Sequence, residues 1–281
     1  METIEVVAAL IRDRDTFLLC RRPQGKARAG LWEFPGGKVE QGETKDAAIL
    51  RECREELGVR LVSFGPLMAL THAYPEVTVH LTLMDCRVAE GVITRLEHDD
   101  MRFVTTAEAA ALALCPADQS FLAELSARES AGERHAARAR ELFGQGCNCA
   151  QAVLCAYAQE IGLPERTLRR LGSSFGGGMG GLRAFCGAAT GAFMALGLLE
   201  GYDDPHDQEA KKAHYAKIRS ISEAFCQEHG TLCCRELLAS LPGKLQSDPL
   251  PRTQEYYKIR PCVRFVETGA KLVSRFLKAE E

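Results

Sequence analysis

The feature that most constrains this chain is the spacing of charged residues and glycines between Gly37 and Val59. The stretch reads GKVEQGETKDAAILRECREELGV and follows the pattern G-x5-E-x7-R-E-x2-E-E-x-G. At ordinary amino-acid frequencies, seven fixed residue types would recur by chance about once in a billion start positions. The spacing therefore indicates a functional site.

Residues 44–57 are predicted to form a helix. Thr44 has the side chain of a good N-cap, and Gly58 suits the left-handed conformation in which many helices end. Residues three and four positions apart share one helix face, and three carboxylates do so here: Glu52, Glu55 and Glu56. Grouped carboxylates repel one another, and a hard divalent cation with oxygen ligands relieves this repulsion. A solvated acidic face is the plain alternative, which the full spacing disfavours.

This stretch resembles the signature of the Nudix hydrolases. The run LLCRRPQGKARAGLWEFPGGKVEQGE, which leads into it, resembles the MutT-type branch, whose members remove oxidised nucleotides from the nucleotide pool. The resemblance implies an α/β sandwich with a mixed sheet between helices, and Mg2+ or Mn2+ as the cofactor. The implied metal ligands are one glycine carbonyl group and four glutamates: Gly36, Glu52, Glu55, Glu56 and Glu97.

The resemblance also implies roles for individual side chains. The expected catalytic residues are four neighbours on the helix: Arg51, Glu52, Glu55 and Glu56. We expect Glu52 to be the general base and Arg51 to orient a glutamate through a bidentate contact. Six residues are implied to contact the substrate: Arg22, Glu33, Phe34, Pro35, Gly36 and Asp118. A carboxyl group accepts a hydrogen bond, or donates one when protonated, so Asp118 leaves the base preference open. A role for Asp118 as a helix N-cap stays open as well.

The implied reaction is the hydrolysis of a nucleoside triphosphate to a nucleoside monophosphate and pyrophosphate. The leading substrate is 8-oxo-dGTP, and CTP, a modified dCTP or a dinucleotide are the alternatives. A nucleotide-binding redox sensor is the alternative of another class.

Composition limits the other partners. The net charge is −3 over 281 residues, with −5 on residues 1–128 and +2 on the remainder, so we expect no stable nucleic-acid complex. The longest uncharged apolar run, 184–199, is short and rich in Ala and Gly, so no membrane span is expected. Twelve cysteines without a secretory leader predict a cytoplasmic protein with reduced thiols. The oligomeric state stays open.

The chain is predicted to contain two domains. The polar stretch SARESAGE separates them, with an α/β domain at 1–128, a linker at 129–135 and an all-α domain at 136–281. Apolar residues at three- and four-residue spacing predict helices in the second domain near 132–144, 148–162, 165–172, 185–199, 207–228, 232–241 and 257–277.

Eight of the twelve cysteines lie in the second half of the chain. Four of them stand at or near predicted helix starts, where a thiol pKa is lowered: Cys149, Cys186, Cys234 and Cys262. They could hold a metal ion or an iron–sulfur cluster, or form redox pairs. None of the four forms a C-x2-C pair, and buried cysteines are also common as small hydrophobic residues.

The order of motifs in this half is NCAQAVL, FGGGMG, CGAATGA, CREL and a late cysteine. It resembles the redox-active protein family that is named for its C-GCAxxG-C-C cysteines. The resemblance implies a redox or metal-binding role for the four cysteines. The glycine-rich run 175–181 could bind an anion through its backbone N–H groups, or could be a tightly packed turn.

Overall fold

The computed structural model describes residues 3–241, 248 and 251–277. Contacts within the chain divide it into two compact units, Met1–Ser126 and Ala127–Leu277. Residues 278–281, the end of the predicted second domain, lie outside the described residues. No helix in the described ranges is both long and apolar enough to cross a membrane.

The first unit is built on a mixed sheet. Its strands within the described residues are β1 (Thr3–Asp13), β2 (Thr16–Arg21), β3 (Trp32–Glu33), β4 (Gly36–Lys38), β5 (Arg60–Ala73), β6 (Thr78–Glu90) and β7 (Asp100–Val104). The strand order is β3-β2-β1-β6-β5, with β4 paired to β1 and β7 paired to β2. β1 and β6 are parallel, and the other pairs are antiparallel.

Three helices contribute to this unit: α1 (Lys45–Leu57), α2 (Thr106–Ala109) and the first part, up to Ser126, of α3 (Pro116–Gly144). The predicted ends of α1 are confirmed. The Thr44 side chain accepts a hydrogen bond from the Ala47 N–H, and Gly58 has a φ of 66° in the left-handed region. The carboxylate-bearing helix is therefore fixed at both ends by its own sequence.

The two faces of β1 and β2 pack against different helices. Val7, Ala9 and Ile11 share one core cluster with Ile49 and Cys53 of α1. On the opposite face, the Phe17 and Phe34 rings lie 5.4 Å apart, and the Phe34 and Phe121 rings lie 6.3 Å apart, which brings in the first turns of α3. The predicted α/β sandwich, with the sheet between helices, is confirmed.

The segment expected to be a polar linker is helical. Residues 129–135 belong to α3, which continues without a break to Gly144. The stretch contains Ala, Glu and Arg, which are strong helix formers, and a single glycine lowers helix stability by only about 1 kcal/mol. The expectation of an irregular linker is corrected on this point, because polar composition alone does not distinguish a loop from a helix.

The second unit is helical, as predicted. After α3 its helices within the described residues are α4 (Cys149–Ala156), α5 (Ala158–Ile161), α6 (Glu165–Gly172), α7 (Gly187–Glu200), α8 (Gln208–His229), α9 (Cys234–Leu237), α10 (Gln254–Ile259) and α11 (Cys262–Phe276). Two predicted helices are divided: the first at Tyr157, and the last before Pro261, which cannot continue an α-helical hydrogen-bond ladder.

Small residues bring α4, α7 and α11 close together. A Cβ atom on Gly191 of α7 would lie 2.6 Å from the Ala150 carbonyl oxygen of α4. A Cβ atom on Gly269 of α11 would lie 2.9 Å from the Ala188 carbonyl oxygen of α7. This close packing places the first residues of α4 and α11, which are both cysteines, in the same region of the unit.

Candidate active site

Arg51 links the acidic residues of the pattern to one another. Its Nε and Nη2 atoms each donate to a Glu43 oxygen at 3.0 Å, which is a bidentate contact. Its Nη1 atom donates to Glu52 at 2.9 Å and to Glu55 at 3.4 Å. Hydrogen bonds to Glu43 and Glu52 raise the pKa of Arg51, so it remains a fixed cation among the carboxylates. This geometry matches the orienting role expected for Arg51.

Two glycines allow close contacts of β4, Gly36 with β1 and Gly37 with α1. Gly36 has a φ of +150°, and a Cβ atom there would lie 2.1 Å from the Val7 carbonyl oxygen. A Cβ atom on Gly37 would lie 2.4 Å from the carboxyl carbon of Glu52. The Gly36 N–H donates to Glu56 at 3.1 Å. Glycine at position 37 therefore lets Glu52 of α1 lie against β4, and glycine at position 36 lets β4 lie against β1.

Glu56 is a buried carboxyl group. Burial raises its pKa to about 7; His98 opposes this rise, whereas the charges of Glu33 and Glu52 add to it. A carboxyl group in this position favours any cation that can reach it. The site therefore favours the binding of a cation at Glu56.

His98 is a residue of this site that the sequence did not reveal. It is 6% exposed, and its Nε2 atom lies 3.6 Å from Glu33 and 4.0 Å from Glu56. It follows Glu97 directly in the acidic loop RLEHDD, residues 95–100. Its position next to a predicted metal ligand was the one feature of the sequence that could have indicated a role in the site. In the structure it lies between two carboxylates that face the same cavity.

Asp118 lies on the other side of Phe34. It is buried, and its Oδ1 atom accepts a hydrogen bond from the Phe34 N–H at 2.9 Å. It belongs to the first turn of α3 and does not cap it, so the N-cap interpretation is wrong. Burial raises the pKa of Asp118 to about 7. Both protonation states are therefore populated near neutral pH.

Two predicted site residues are held by ion pairs. Arg22 forms an ion pair with Glu33, and its Nε atom donates to the Ala27 carbonyl oxygen at 2.6 Å. Glu97 pairs with Lys26 at 2.5 Å, and its side chain is 41% exposed. Glu97 therefore lies at the solvent edge of the site, where it is engaged by a lysine.

One cavity of about 590 Å³ brings most of these residues together. Eight predicted site residues line it: Arg22, Glu33, Phe34, Gly36, Glu52, Glu56, Glu97 and Asp118. Three others do not: Pro35, Arg51 and Glu55. The Glu55 side chain is 55% exposed and contacts Arg51. The volume is that of a typical small-molecule site.

The donor chemistry of this cavity fits a hard divalent cation. Glu52 and Glu56 supply carboxylate oxygens, and the Glu52 carboxyl group lies so close to Gly37 that a Cβ atom there would clash with it. In the described part of the chain, no group of three or more His, Cys, Asp or Glu side chains is arranged to hold a metal ion by itself. Mg2+ commonly takes only one or two carboxylates and completes its shell with waters and substrate phosphates. The arrangement meets that requirement.

The second unit has a cavity of its own, of about 30 Å³. All four predicted cysteines line it: Cys149, Cys186, Cys234 and Cys262. Three arginines line it as well: Arg183, Arg252 and Arg260. A Cβ atom on Gly178 would lie 3.0 Å from the Cys234 sulfur, so the glycine-rich run is packed tightly against Cys234. The metal or iron–sulfur cluster remains a prediction without a ligand arrangement to support it among the described residues.

Comparisons with known proteins match each half of the chain separately. Residues 6–124 match the family described as NUDIX domain. Residues 147–276 match the family described as Putative redox-active protein (C_GCAxxG_C_C).

Two curated proteins are similar to the first half. The CTP pyrophosphohydrolase of Escherichia coli (strain K12) is 36% identical over 132 residues, which is 46% of this chain and 98% of that protein. The 8-oxo-dGTP diphosphatase of Proteus vulgaris is 35% identical over 88 residues, 31% of this chain and 77% of that protein. Among solved structures, that of the E. coli ORF135 protein is 36% identical and covers 43% of this chain and 87% of that chain, with a TM-score of 0.39.

Proposed function

The chain belongs to the Nudix family, whose members hydrolyse phosphoric anhydrides, and we propose that it is a nucleoside triphosphate pyrophosphohydrolase that acts on 8-oxo-dGTP. Water would cleave the anhydride bond between the first and second phosphates, which releases a nucleoside monophosphate and pyrophosphate. A cytoplasmic location stays a prediction from the cysteine content.

The observation that carries the proposal is that one short segment, residues 34–36, binds both Asp118 and Glu56 through its backbone N–H groups. The Phe34 N–H binds Asp118, and the Gly36 N–H binds Glu56. Two residues of extended chain span at most about 7 Å. Asp118 can hydrogen-bond to a base, and Glu56 can hold a cation that binds the phosphates. Both bind the same short segment and line the same cavity.

The residues of this chain would perform distinct steps. Glu52 accepts the proton of the attacking water, and Arg51 keeps Glu52 in position through its 2.9 Å hydrogen bond. Arg22, which pairs with Glu33 and lines the cavity, would contact the substrate. Mg2+ or Mn2+, held by Glu52, Glu56 and the Gly36 carbonyl, would neutralise phosphate charge. Glu55 and Glu97 stay predicted metal ligands. Glu55 does not line the cavity, and Glu97 forms an ion pair with Lys26.

Asp118 supports a second candidate substrate, CTP or a modified dCTP. An ionised carboxylate accepts hydrogen bonds, which suits the N–H groups on the edge of a guanine. A protonated carboxyl group can donate to a ring nitrogen of cytosine and accept from its amino group. The pKa of about 7 makes both forms available, and the similarity to a CTP pyrophosphohydrolase is consistent with the second.

The test is a comparison of kcat/KM for 8-oxo-dGTP, dGTP, CTP, 5-methyl-dCTP and NADH with the full chain and Mg2+. The proposal expects the highest value for 8-oxo-dGTP at pH 8, where Asp118 is ionised. A higher value for NADH than for every triphosphate would contradict it. Asp118→Asn, which keeps an oxygen to accept from the Phe34 N–H, should reduce the discrimination between the purine and pyrimidine substrates.

A further inference from the structure

Cys262 and Cys149 occupy facing positions in the cysteine cavity. Each is the first residue of a helix, α11 and α4 respectively, and their side chains hydrogen-bond to each other. Partial positive charge at the start of a helix stabilises a thiolate. Two sulfur atoms in hydrogen-bond contact are also placed to become a disulfide after a small movement.

The cavity around this pair is strongly cationic. Arg260 is 8% exposed, and it hydrogen-bonds to Cys262. The Nη1 atom of Arg252 is buried without a hydrogen-bond partner among the described residues. Both guanidinium groups lie over the Tyr256 ring, at 4.6 Å for Arg252 and 4.8 Å for Arg260. The described residues that line the cavity include no acidic side chain.

The thiols of the cavity differ in their acidity. The hydrogen bond from Cys149 lowers the pKa of Cys262 to about 7 against the effect of burial, and Arg260 and Arg252 lower it further. The same hydrogen bond, together with burial, raises the pKa of Cys149 well above its usual value. Burial raises the pKa of Cys186 to about 12 and also raises that of Cys234. Cys262 is therefore the thiol of this group that ionises most readily, whereas the neighbouring Cys149 retains its proton.

The size of the cavity limits which oxidant can reach the thiols. A volume of 30 Å³ has room for about two water molecules. A bulky disulfide cannot enter such a space, whereas hydrogen peroxide, with two heavy atoms, can. Buried guanidinium donors are well suited to stabilise negative charge on an oxygen atom as the O–O bond breaks.

We propose that Cys262 and Cys149 form a peroxide-reactive dithiol pair, in which Cys262 attacks hydrogen peroxide and Cys149 resolves the product to a disulfide. The Cys262 thiolate forms an S–O bond and breaks the O–O bond, which gives a sulfenic acid and a hydroxide ion that becomes water on protonation. The Cys149 thiol then attacks the Cys262 sulfur, an S–S bond forms, and the sulfenic oxygen leaves as water. Two thiols are oxidised by one peroxide, and two waters are released in total.

The experiment uses the full chain, reduced and freed of reductant, and treated with one equivalent of hydrogen peroxide. Peptide mass mapping after alkylation should show loss of two thiols and a bond between Cys149 and Cys262. In Cys149→Ser, a sulfenic acid at Cys262 should persist and be trapped by dimedone. In Cys262→Ser, the reaction should slow by at least about tenfold, because an unperturbed thiol is only a few per cent ionised at pH 7.

Cys226→Ser is the matched control, since Cys226 lies in α8 and does not line the cavity; it should react like the wild type. A second measurement requires no substitution at a cysteine of the pair. When the wild type is alkylated with a limiting reagent at pH 7, Cys262 should be modified first, and Arg252→Gln should slow that modification. The proposal is overturned if the disulfide maps to other cysteines, if Cys262→Ser reacts at the wild-type rate, or if the reduced protein carries stoichiometric metal on these thiols.

Discussion

The two cavities of this chain shift the pKa of a buried acidic group in opposite directions, upward at Glu56 and downward at Cys262. In the first unit, burial and two neighbouring glutamates raise the pKa of Glu56 to about 7. In the second unit, burial raises the pKa of Cys186, and the hydrogen bond with Cys262 together with burial raises that of Cys149. The same hydrogen bond and two arginines lower the pKa of Cys262 to about 7. Burial raises the pKa in both places, so the neighbouring groups make the difference: negative charges raise the pKa of Glu56 further, whereas a hydrogen bond from Cys149 and two arginines lower that of Cys262.

This difference separates the chemistry of the two cavities. The first offers carboxylates that demand a cation, as a site for Mg2+ and phosphates does. The second offers guanidinium groups around a thiolate, as a site for an oxygen-centred electrophile does.

The largest effect is expected at the general base. Glu52→Gln removes the proton acceptor and should lower kcat for 8-oxo-dGTP by about a thousandfold, within the usual range for general acid–base catalysis. Steady-state release of pyrophosphate measures it. Glu40→Gln changes an exposed glutamate of the same segment that does not line the cavity, and it should leave kcat unchanged. Retained activity in Glu52→Gln would remove the catalytic assignment.

The next effect concerns pH and Asp118. Below pH 7 the protonated carboxyl dominates, which favours cytosine; above pH 7 the ionised form favours 8-oxoguanine. The ratio of kcat/KM for CTP to that for 8-oxo-dGTP should rise as the pH falls from 8 to 6, by at most about 100-fold for one titrating group. Glu56 titrates in the same range, but it serves both substrates and cancels in the ratio. In Asp118→Asn the ratio should not depend on pH, and an unchanged slope would assign the effect to another group.

A smaller loss is expected at the arginine that orients the glutamates. Arg51→Lys cannot keep the bidentate contact with Glu43 together with the bond to Glu52. The expected decrease in kcat is about 10–100-fold, as for other residues that position a metal ligand or base. KM should change little, because Arg51 does not line the cavity. A rise in KM with constant kcat would instead indicate direct contact with the substrate.

The smallest effect tests the packing of the second unit. Gly191→Ala places a Cβ atom 2.6 Å from the Ala150 carbonyl oxygen and should lower the free energy of unfolding by about 1–3 kcal/mol. Gly197→Ala, in the same helix but with no atom within 4 Å of the new Cβ, should raise it by about 0.5–1 kcal/mol. Chemical denaturation followed by circular dichroism measures both changes. Equal effects of the two substitutions would contradict the close approach of α4 and α7.

Local signals in the sequence predicted much of the fold. The cap at Thr44 and the stop at Gly58 gave the limits of α1, and apolar periodicity gave the helices of the second unit. Strand β5 was not predicted, because Gly65 and Pro66 interrupt its pattern and bulges shift its register. The helical state of residues 129–131 was missed because polar composition also suits a surface helix.

The candidate sites were predictable to different degrees. The spaced glutamates predict the first site because they lie on one helix, and sequence spacing alone shows which residues share a helix face. His98 could not be assigned, since its place between Glu33 and Glu56 depends on how a loop folds over the sheet. The four cysteines are far apart in sequence, so spacing alone could not show that they line one cavity with Arg252 and Arg260.

The most direct test of the account is phosphorus NMR of 8-oxo-dGTP turned over by the full chain with Mg2+. The account predicts that 8-oxo-dGMP and pyrophosphate appear in equal amounts and that chelation of the metal stops the reaction. Release of inorganic phosphate with a nucleoside diphosphate, or turnover that persists in excess chelator, would contradict it.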